Sequence, residues 1–518
     1  MTSKATLRSR ATRPTAAQWP APPPPRTRTL AAALTFVLTC LLLACDDDGA
    51  TPEPPTWLVG GVAVGEHALL VDTSTDTAFI VDGERPAVVT TTPIAPNAIW
   101  LGRRLSYDDS ALILSAGRRG VGQGAVLTLV RDNGDTRAYD LNAPFNRVVQ
   151  TPDGRFAVLF FERGVRDLAF SPNDIAVVDM EADRERDAVT HTTLRTPLGA
   201  LTDVVASPRL RVTPERAHLA VATSPGYLSI LDLNSPAHPD ILVQLGGREL
   251  HPEQLLFSAE RAEIYVRAEG SDDAFVLAFD EADREHDNRI WPEVRQLAVG
   301  DGFTDLAIAG SDESGRLLAT TPTTGHLHLL EVDAGTSHHI DLGGEASRLL
   351  RFQDSPGDSQ VLAFEPGTHE IRIISPEGIA DNPFEAIRRM ETHAPVESVM
   401  LVGKQEQVLL FHPDSTVSLW KGEEDAPRRL SVNTDLDNLH FDSQIGQLVV
   451  AEPGAPLLSM VQLDSQQSDE VLLDAPIDFV VPVPLSDRLV VVHTDATFSL
   501  IDLERPRRAT LERLTELR

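Results

Sequence analysis

From Thr304 to Gly343 the chain reads TDLAIAG, SDESG, RLLATT, PTTG, HLHLLEVD, AGT, SHHIDLG. Four short runs of alternating or β-branched residues are separated by Gly, Ser, Pro, Thr and Asp, the residues that make turns. The stretch therefore predicts one four-stranded antiparallel unit. Comparable second strands begin near Ala68, Ala111, Phe156, His218, Glu263, Leu317, Val361, Gln407, Leu448 and Arg488. The steps between them are 43, 45, 62, 45, 54, 44, 46, 41 and 40 residues. Third strands often finish on an acid, as at Asp82, Asp179, Asp232, Asp280 and Asp502. After two of these third strands the segments Glu181–Asp187 and Glu281–Asp287 echo each other in six of seven residues.

A period of about 40 to 45 residues with four strands per period is that of a β-propeller blade. A lone four-stranded sheet leaves two faces to cover, and stacking sheets around an axis covers both faces of each. A pair of β-sandwiches is disfavoured, because sandwiches do not repeat at a fixed period. The fold expected is all-β, a propeller of about ten four-stranded units over residues 57–518. Ten units fit one wide ring, one ring with accessory blades, or two rings. A continuous assembly is preferred, since no Gly/Ser- or Pro-rich linker interrupts 57–513. The steps of 62 and 54 mark extra loops near 181–215 and 280–300. Helical signals are confined to Phe384–Thr392 and Arg508–Arg518.

The turn Thr151-Pro-Asp-Gly154 before Arg155–Phe160, the turn Ser375-Pro-Glu-Gly378, Thr213-Pro-Glu-Arg216 before His218–Ala222, and Gly226–Asp232 resemble the WD40-like and YVTN-type repeats of bacterial propellers. The resemblance spans most of 57–513 and implies the propeller fold. No Trp-Asp or Tyr-Val-Thr-Asn ending recurs.

The 518 residues include 77 acids and 45 Lys and Arg, for a net charge of −32. That balance excludes nucleic acid as a partner, because phosphate binding runs on Lys and Arg. An apolar fraction of 42% supports a large core. Two cysteines exclude a disulfide scaffold and a cysteine-based zinc site.

Residues 1–29 hold six basic residues and no acid; Leu30 to Ala44 is an apolar run of fifteen; Cys45 and three aspartates follow. A basic head, a short apolar stretch and a small residue before a cut follow the logic of a secretory signal peptide, and fifteen residues fall short of the roughly 20 that span a bilayer. Leu42-Leu43-Ala44-Cys45 resembles the lipobox of bacterial lipoproteins. The resemblance implies removal of residues 1–44, lipidation of Cys45 and display on the bacterial cell envelope, on the periplasmic side or the outer surface. Cleavage would leave 39 basic against 77 acidic residues, a net charge of −38. An anionic bilayer repels such a body, so the lipid is its only membrane contact. Residues 45–56, acidic and then Pro-rich, read as an extended tether.

Candidate sites come from residue type and spacing. His326 and His328 lie two apart on a strand and leave the same face, with His338 and His339 one strand later; imidazoles so placed suit zinc or copper. The competing reading is a hydrogen-bonded strand pair without a third ligand. Asp183/Glu185/Asp187 and Asp283/Glu285/Asp287 alternate as calcium ligands do, but Ala188 and Asn288 stand where the sharp-turn Gly belongs, and Arg184, Arg186 and Arg284 neutralise the acids locally. Calcium is the cofactor that these acidic segments admit, and none is required. The glycines of Gly117–Gly124 precede a strand and not a helix, which rules out a dinucleotide loop. Arg118 and Arg119 in that loop, with Arg163 and Arg166 in the equivalent loop of the next unit, form a basic patch on an acidic body. That patch suits a carboxylate or an acidic partner, with Phe161 or Phe170 as an exposed apolar anchor. The mature chain carries no His-Glu-x-x-His, no Gly-x-Ser-x-Gly and no cysteine nucleophile.

The reading that results is a lipid-anchored envelope propeller that binds a protein or small anionic ligand without chemistry. The alternatives are a propeller enzyme of lactonase, lyase or glycosidase type, with a metal or carboxylates at the central channel, and a factor for assembling envelope proteins.

Overall fold

A computed structural model describes residues 58–513, except 86, 117–123, 163–170, 197–200, 213–216, 280–290, 356–357, 403–406, 423, 435–438, 443–445 and 506–508. The chain divides into two compact units, Met1–Pro54 and Pro55–Arg518, and every described residue belongs to the second. Among the described residues forty strands form ten four-stranded sheets, each built from four consecutive strands paired antiparallel. The ten blades span 58–93, 98–140, 147–193, 203–244, 251–298, 305–341, 348–396, 398–433, 439–472 and 477–513. Within each blade the strands are called a, b, c and d in chain order.

The burial of each strand follows from its place in the blade. Strands b and c are covered on both faces and read as near-continuous apolar runs, as in Ser110–Ser115 (SALILS) and Phe156–Phe160 (FAVLF). The d strands alternate between exposed and covered residues, as in Val88–Pro93 and Thr336–Asp341, because they form the outer rim. The a strands of neighbouring blades approach one another, which places them around the axis.

The alternation of side chains across a strand explains why the blades form a ring. In blade 3, Phe156, Val158 and Phe160 pack with Val204, Ala220 and Leu231 of blade 4. Their neighbours Ala157 and Leu159, with Phe161, point the other way, onto Leu112, Leu127 and Tyr139 of blade 2. Among the described residues there are ten apolar clusters, and each joins one blade to the next in order. The tenth joins blade 10 to blade 1 through Val481, Val483, Val490, Val492, Phe498 and Leu500 against Ala68, Leu70, Phe79 and Val81. The protein is thus a ten-bladed β-propeller in one wide ring. Blade 1 uses the first four strands and blade 10 the last four, so no strand is exchanged across the closing seam. Among the described residues side-chain packing closes it, each fully buried Phe or Leu contributing about 1.5–3 kcal/mol. Gly61 sits at that seam, where a Cβ would overlap the Val481 side chain and lie 2.7 Å from Leu70.

The b strands begin at His67, Ser110, Phe156, Leu219, Glu263, Arg316, Asp358, Gln407, Gln447 and Arg488. Nine of these fall within one residue of the sequence expectation, and blade 7 begins three residues early. The turn Thr151–Gly154 joins strands a and b of blade 3. Thr151 Oγ1 accepts the Phe156 N–H at 3.0 Å, and Gly154 has φ +67° with no room for a Cβ beside the Leu105 carbonyl. Ser375–Gly378, by contrast, follows strand c of blade 7, so the two similar tetrapeptides hold different places in their blades.

Two helical expectations are corrected. Over Phe384–Thr392, helix is limited to one turn at Pro383–Ala386, and Ile387–Val396 is strand d of blade 7, paired with Thr368–Ile374. In the C-terminal segment Ala509–Arg513 is strand d of blade 10, and 514–518 lie outside the described residues. No described helix is long and apolar enough to cross a membrane.

Candidate metal centre

In each blade the b–c hairpin and the end of strand d lie at the same face of the ring, as the up-and-down order of strands requires. On that face of blade 6, strand c is His326–Glu331 and strand d is Thr336–Asp341. Leu327 and Leu329 enter the cluster shared with blade 7. His326, His328 and Leu330 take the other face, where Leu330 joins the cluster shared with blade 5. The register sets His328 directly opposite His339, and His326 opposite Asp341. His339 therefore shares the face of His326 and His328, and His338, opposite Leu329, takes the other.

One ring nitrogen from each of His326, His328 and His339 lies within 4.8 Å of the other two. The ring centroids of His328 and His339 are 4.5 Å apart, and His326 stands 6.3 and 6.2 Å from them. His328 is 2% exposed, while His326 is half-buried and His339 exposed. Burial, and then the neighbouring His339 and His326, press the His328 pKa down to about 4. At neutral pH it is the uncharged imidazole a metal requires. Its Nε2 meets the Thr321 hydroxyl at 3.0 Å, and its Nδ1 is buried with no hydrogen-bond partner. An unmatched buried nitrogen costs about 1–3 kcal/mol. Gly300, in the link from blade 5, lies beside the ring: a Cβ there would stand 3.9 Å from His328 Cε1. Asp341 accepts the Gly343 N–H at 2.7 Å.

A second histidine group differs in being fully matched. His393 and His412 stand 4.5 Å apart between blades 7 and 8. His412 engages the Pro395 carbonyl at 2.8 Å and the Ser418 hydroxyl at 2.8 Å, while His393 meets Ser418 at 3.4 Å and Thr416 at 3.5 Å. In sequence this is His412-x-Asp414-x-Thr416-x-Ser418, and blade 10 repeats it as His493-x-Asp495-x-Thr497-x-Ser499, with His493 Nε2 2.7 Å from Ser499. In both, the acid accepts from the Thr hydroxyl, at 2.6 and 2.7 Å. These polar staples hold b–c hairpins. A further buried acid, Glu263, is saturated by Arg261 at 2.8 and 3.1 Å, Tyr265 at 2.6 Å and Arg295 at 3.2 Å. Burial and that bond to Glu263 raise the Tyr265 pKa, so the phenol stays protonated and acts as a structural donor.

The other residues singled out from sequence fall as follows. Asp183 and Asp187 are exposed in the c–d connection of blade 3, where Glu185–Ala188 is a single helical turn, so the alternation is not one along a strand. Asp283, Glu285 and Asp287 lie outside the described residues, in the same connection of blade 5. Cys45, Arg118, Arg119, Arg163 and Arg166 also lie outside them. The flanking strands assign both arginine loops to b–c connections. Phe170 is outside as well, and Phe161 is not an exposed anchor. It is 4% exposed and packs 4.9 Å from Phe145 in the seam between blades 2 and 3.

No protein-family model matches the chain, and no curated protein does. Among solved structures, the dihydro-heme d1 dehydrogenase NirN in complex with DHE is 12% identical, with 82% of this chain and 76% of that one covered and a TM-score of 0.40. Apo AztD from Citrobacter koseri is 11% identical, with 82% and 97% covered and a TM-score of 0.39. A eukaryotic initiation factor reaches 0.45 at 11% identity, with 75% and 90% covered. Likeness of this degree says nothing about what the chain binds or does.

Proposed function

We propose that the protein is a bacterial envelope lipoprotein whose propeller holds a protein or small anionic ligand without transforming it. The observation that carries the binding half is the unbroken circuit of ten apolar seams. Such a packed ring is a rigid scaffold, and binding residues on rigid scaffolds are found in the connections between strands. The anchoring half draws on Leu30–Ala44 and Cys45. Several acyl chains on Cys45 hold a soluble body at a membrane, and the acidic tether keeps it clear of the surface. The contact face is the one bearing the b–c connections, with Arg118, Arg119, Arg163 and Arg166 drawing an acidic partner toward an otherwise acidic body.

Two experiments test these halves separately. Cys45→Ala should move the protein from the membrane fraction to the soluble one; retention in the membrane overturns the anchor. Crosslinking in intact cells followed by capture should return a partner that is lost when all four arginines become Ala. An unchanged set of partners overturns the patch. The second reading, a metal-dependent enzyme, is favoured by the three converging histidines. They sit on strands c and d, however, and not on the a strands around the axis.

A further inference from the structure

We infer that blade 6 carries a binding site for one zinc-class divalent ion, held by the imidazoles of His326, His328 and His339. The donor set is chemically selective. Three imidazole nitrogens suit zinc, copper and nickel, whereas calcium and magnesium take oxygen. The geometry is close to that of a bound ion. Zinc–nitrogen bonds of about 2.0–2.1 Å in a tetrahedron separate the ligand nitrogens by about 3.3 Å. The present spread of up to 4.8 Å closes by rotation of His326 and His339, the two less buried rings. His328 is the fixed point, since its ring is buried and Thr321 holds Nε2 at 3.0 Å. That leaves Nδ1, buried and without a partner, as the atom offered to a metal. Thr321 then plays the part of the outer-shell partner that orients a ligating histidine.

Comparison within the molecule separates this site from ordinary buried histidines. His218 and His493 also have an unmatched buried Nδ1, but no second imidazole faces either ring among the described residues. His393 and His412 do face each other, but carbonyl and hydroxyl groups occupy their nitrogens. Blade 6 alone, among the described residues, combines three converging imidazoles with an unmatched donor. Three protein ligands leave a fourth position of the tetrahedron for water or an incoming group. His339 is exposed, so solvent reaches the site. A 2+ ion there neutralises no fixed carboxylate of its own, but it gains from the surrounding charge of a strongly acidic chain and from Asp341, opposite His326 in the register.

The test is titration of the purified, metal-stripped chain with Zn2+ against a chromophoric chelator. The wild type should bind one equivalent saturably. His339→Ala and His326→Ala, both at the less buried rings, should each weaken binding at least tenfold while far-UV circular dichroism and the unfolding midpoint of the metal-free protein stay unchanged. Thr321→Val should weaken it roughly 10–100-fold without removing a ligand. With Co2+ in place of Zn2+, the d–d bands of a tetrahedral nitrogen site should appear in the wild type and be lost in His339→Ala. The inference is overturned if no saturable equivalent is bound, or if folded His339→Ala and His326→Ala bind as the wild type does. The result is independent of anchoring and of any protein partner.

Discussion

Phe498→Ala tests the closing seam. Phe498 is 0% exposed and packs between blades 10 and 1 with Val481, Val490, Val492, Leu70 and Phe79. Truncating a buried phenylalanine removes its transfer free energy and leaves a cavity, about 3–5 kcal/mol together. Among the described residues no strand crosses this seam, so the loss falls on the side-chain packing that joins the two blades. Local opening should then rise by roughly a hundredfold to a few thousandfold, at 1.4 kcal/mol per tenfold. Amide hydrogen exchange reads this directly, because protection reports local opening free energy. Faster exchange should appear in His67–Asp72, Thr77–Asp82, Arg488–His493 and Thr497–Asp502, and leave Glu263–Glu269 and Arg316–Thr321 across the ring near their wild-type rates. The matched control, Phe156→Ala at the seam of blades 3 and 4, should move the same loss to those blades. Equal acceleration around the whole ring, or no acceleration at the blade 1 strands, would refute closure by packing.

The polar staples give two further outcomes. Ser418→Ala and Ser499→Ala each strand a buried histidine Nε2, and each should lower the unfolding free energy by about 1–3 kcal/mol in urea titrations. The two sites lie in blades 8 and 10 and share no partner, so the double variant should show the sum within about 0.5 kcal/mol. The Thr416 hydroxyl and N–H hold the Asp414 carboxyl below the usual carboxylate range. Burial pushes Asp495 up, but the equivalent Thr497 contacts outweigh it and leave that carboxyl lowered too. A lowered folded-state pKa makes a contribution that is present above the ordinary carboxylate range and lost as pH falls through the folded value. Thr416→Val should raise the Asp414 pKa in a carbon-detected NMR titration and flatten that part of the acid limb. An unmoved titration contradicts the assignment.

The blades were legible in the sequence because strands b and c are covered on both faces. Runs such as Ala111–Ser115 and Phe156–Phe160 stand out between turn residues, and their spacing is the blade period. Ring size was not legible, since ten similar units also suit two smaller rings. Only the pairing of Val481 and Phe498 with Leu70 and Phe79 decides it. Phe384–Thr392 misled because the residues of a rim strand are sparsely apolar, and pairing with Thr368–Ile374 overrides local preference. Phe161 misled because it follows the last residue of its strand, yet still turns into the neighbouring seam. The metal site was half legible. His326 and His328 share a face by the period of two, whereas His339 joins them only through hairpin register. Pairing Glu331 with Thr336 across the four-residue turn would have set 328 opposite 339. The His-x-Asp-x-Thr-x-Ser repeat at 412–418 and 493–499 stood in the sequence too, and its sense appears only when each histidine meets its serine across the hairpin.

The central claim is a single closed ring of ten blades. Glu84 in blade 1 and Leu485 in blade 10 are both exposed, and each adjoins a residue of the close approach of Gly83 to Ser486, where a Cβ on Gly83 would lie 2.6 Å from Ser486 Oγ. Spin labels at cysteines replacing Glu84 and Leu485 measure the gap between the first and last blades by pulsed electron resonance. The ring predicts one narrow distance on the order of 10 Å plus the label arms, the spacing of stacked sheets. A broad or long distribution, with the terminal blades apart, would contradict it.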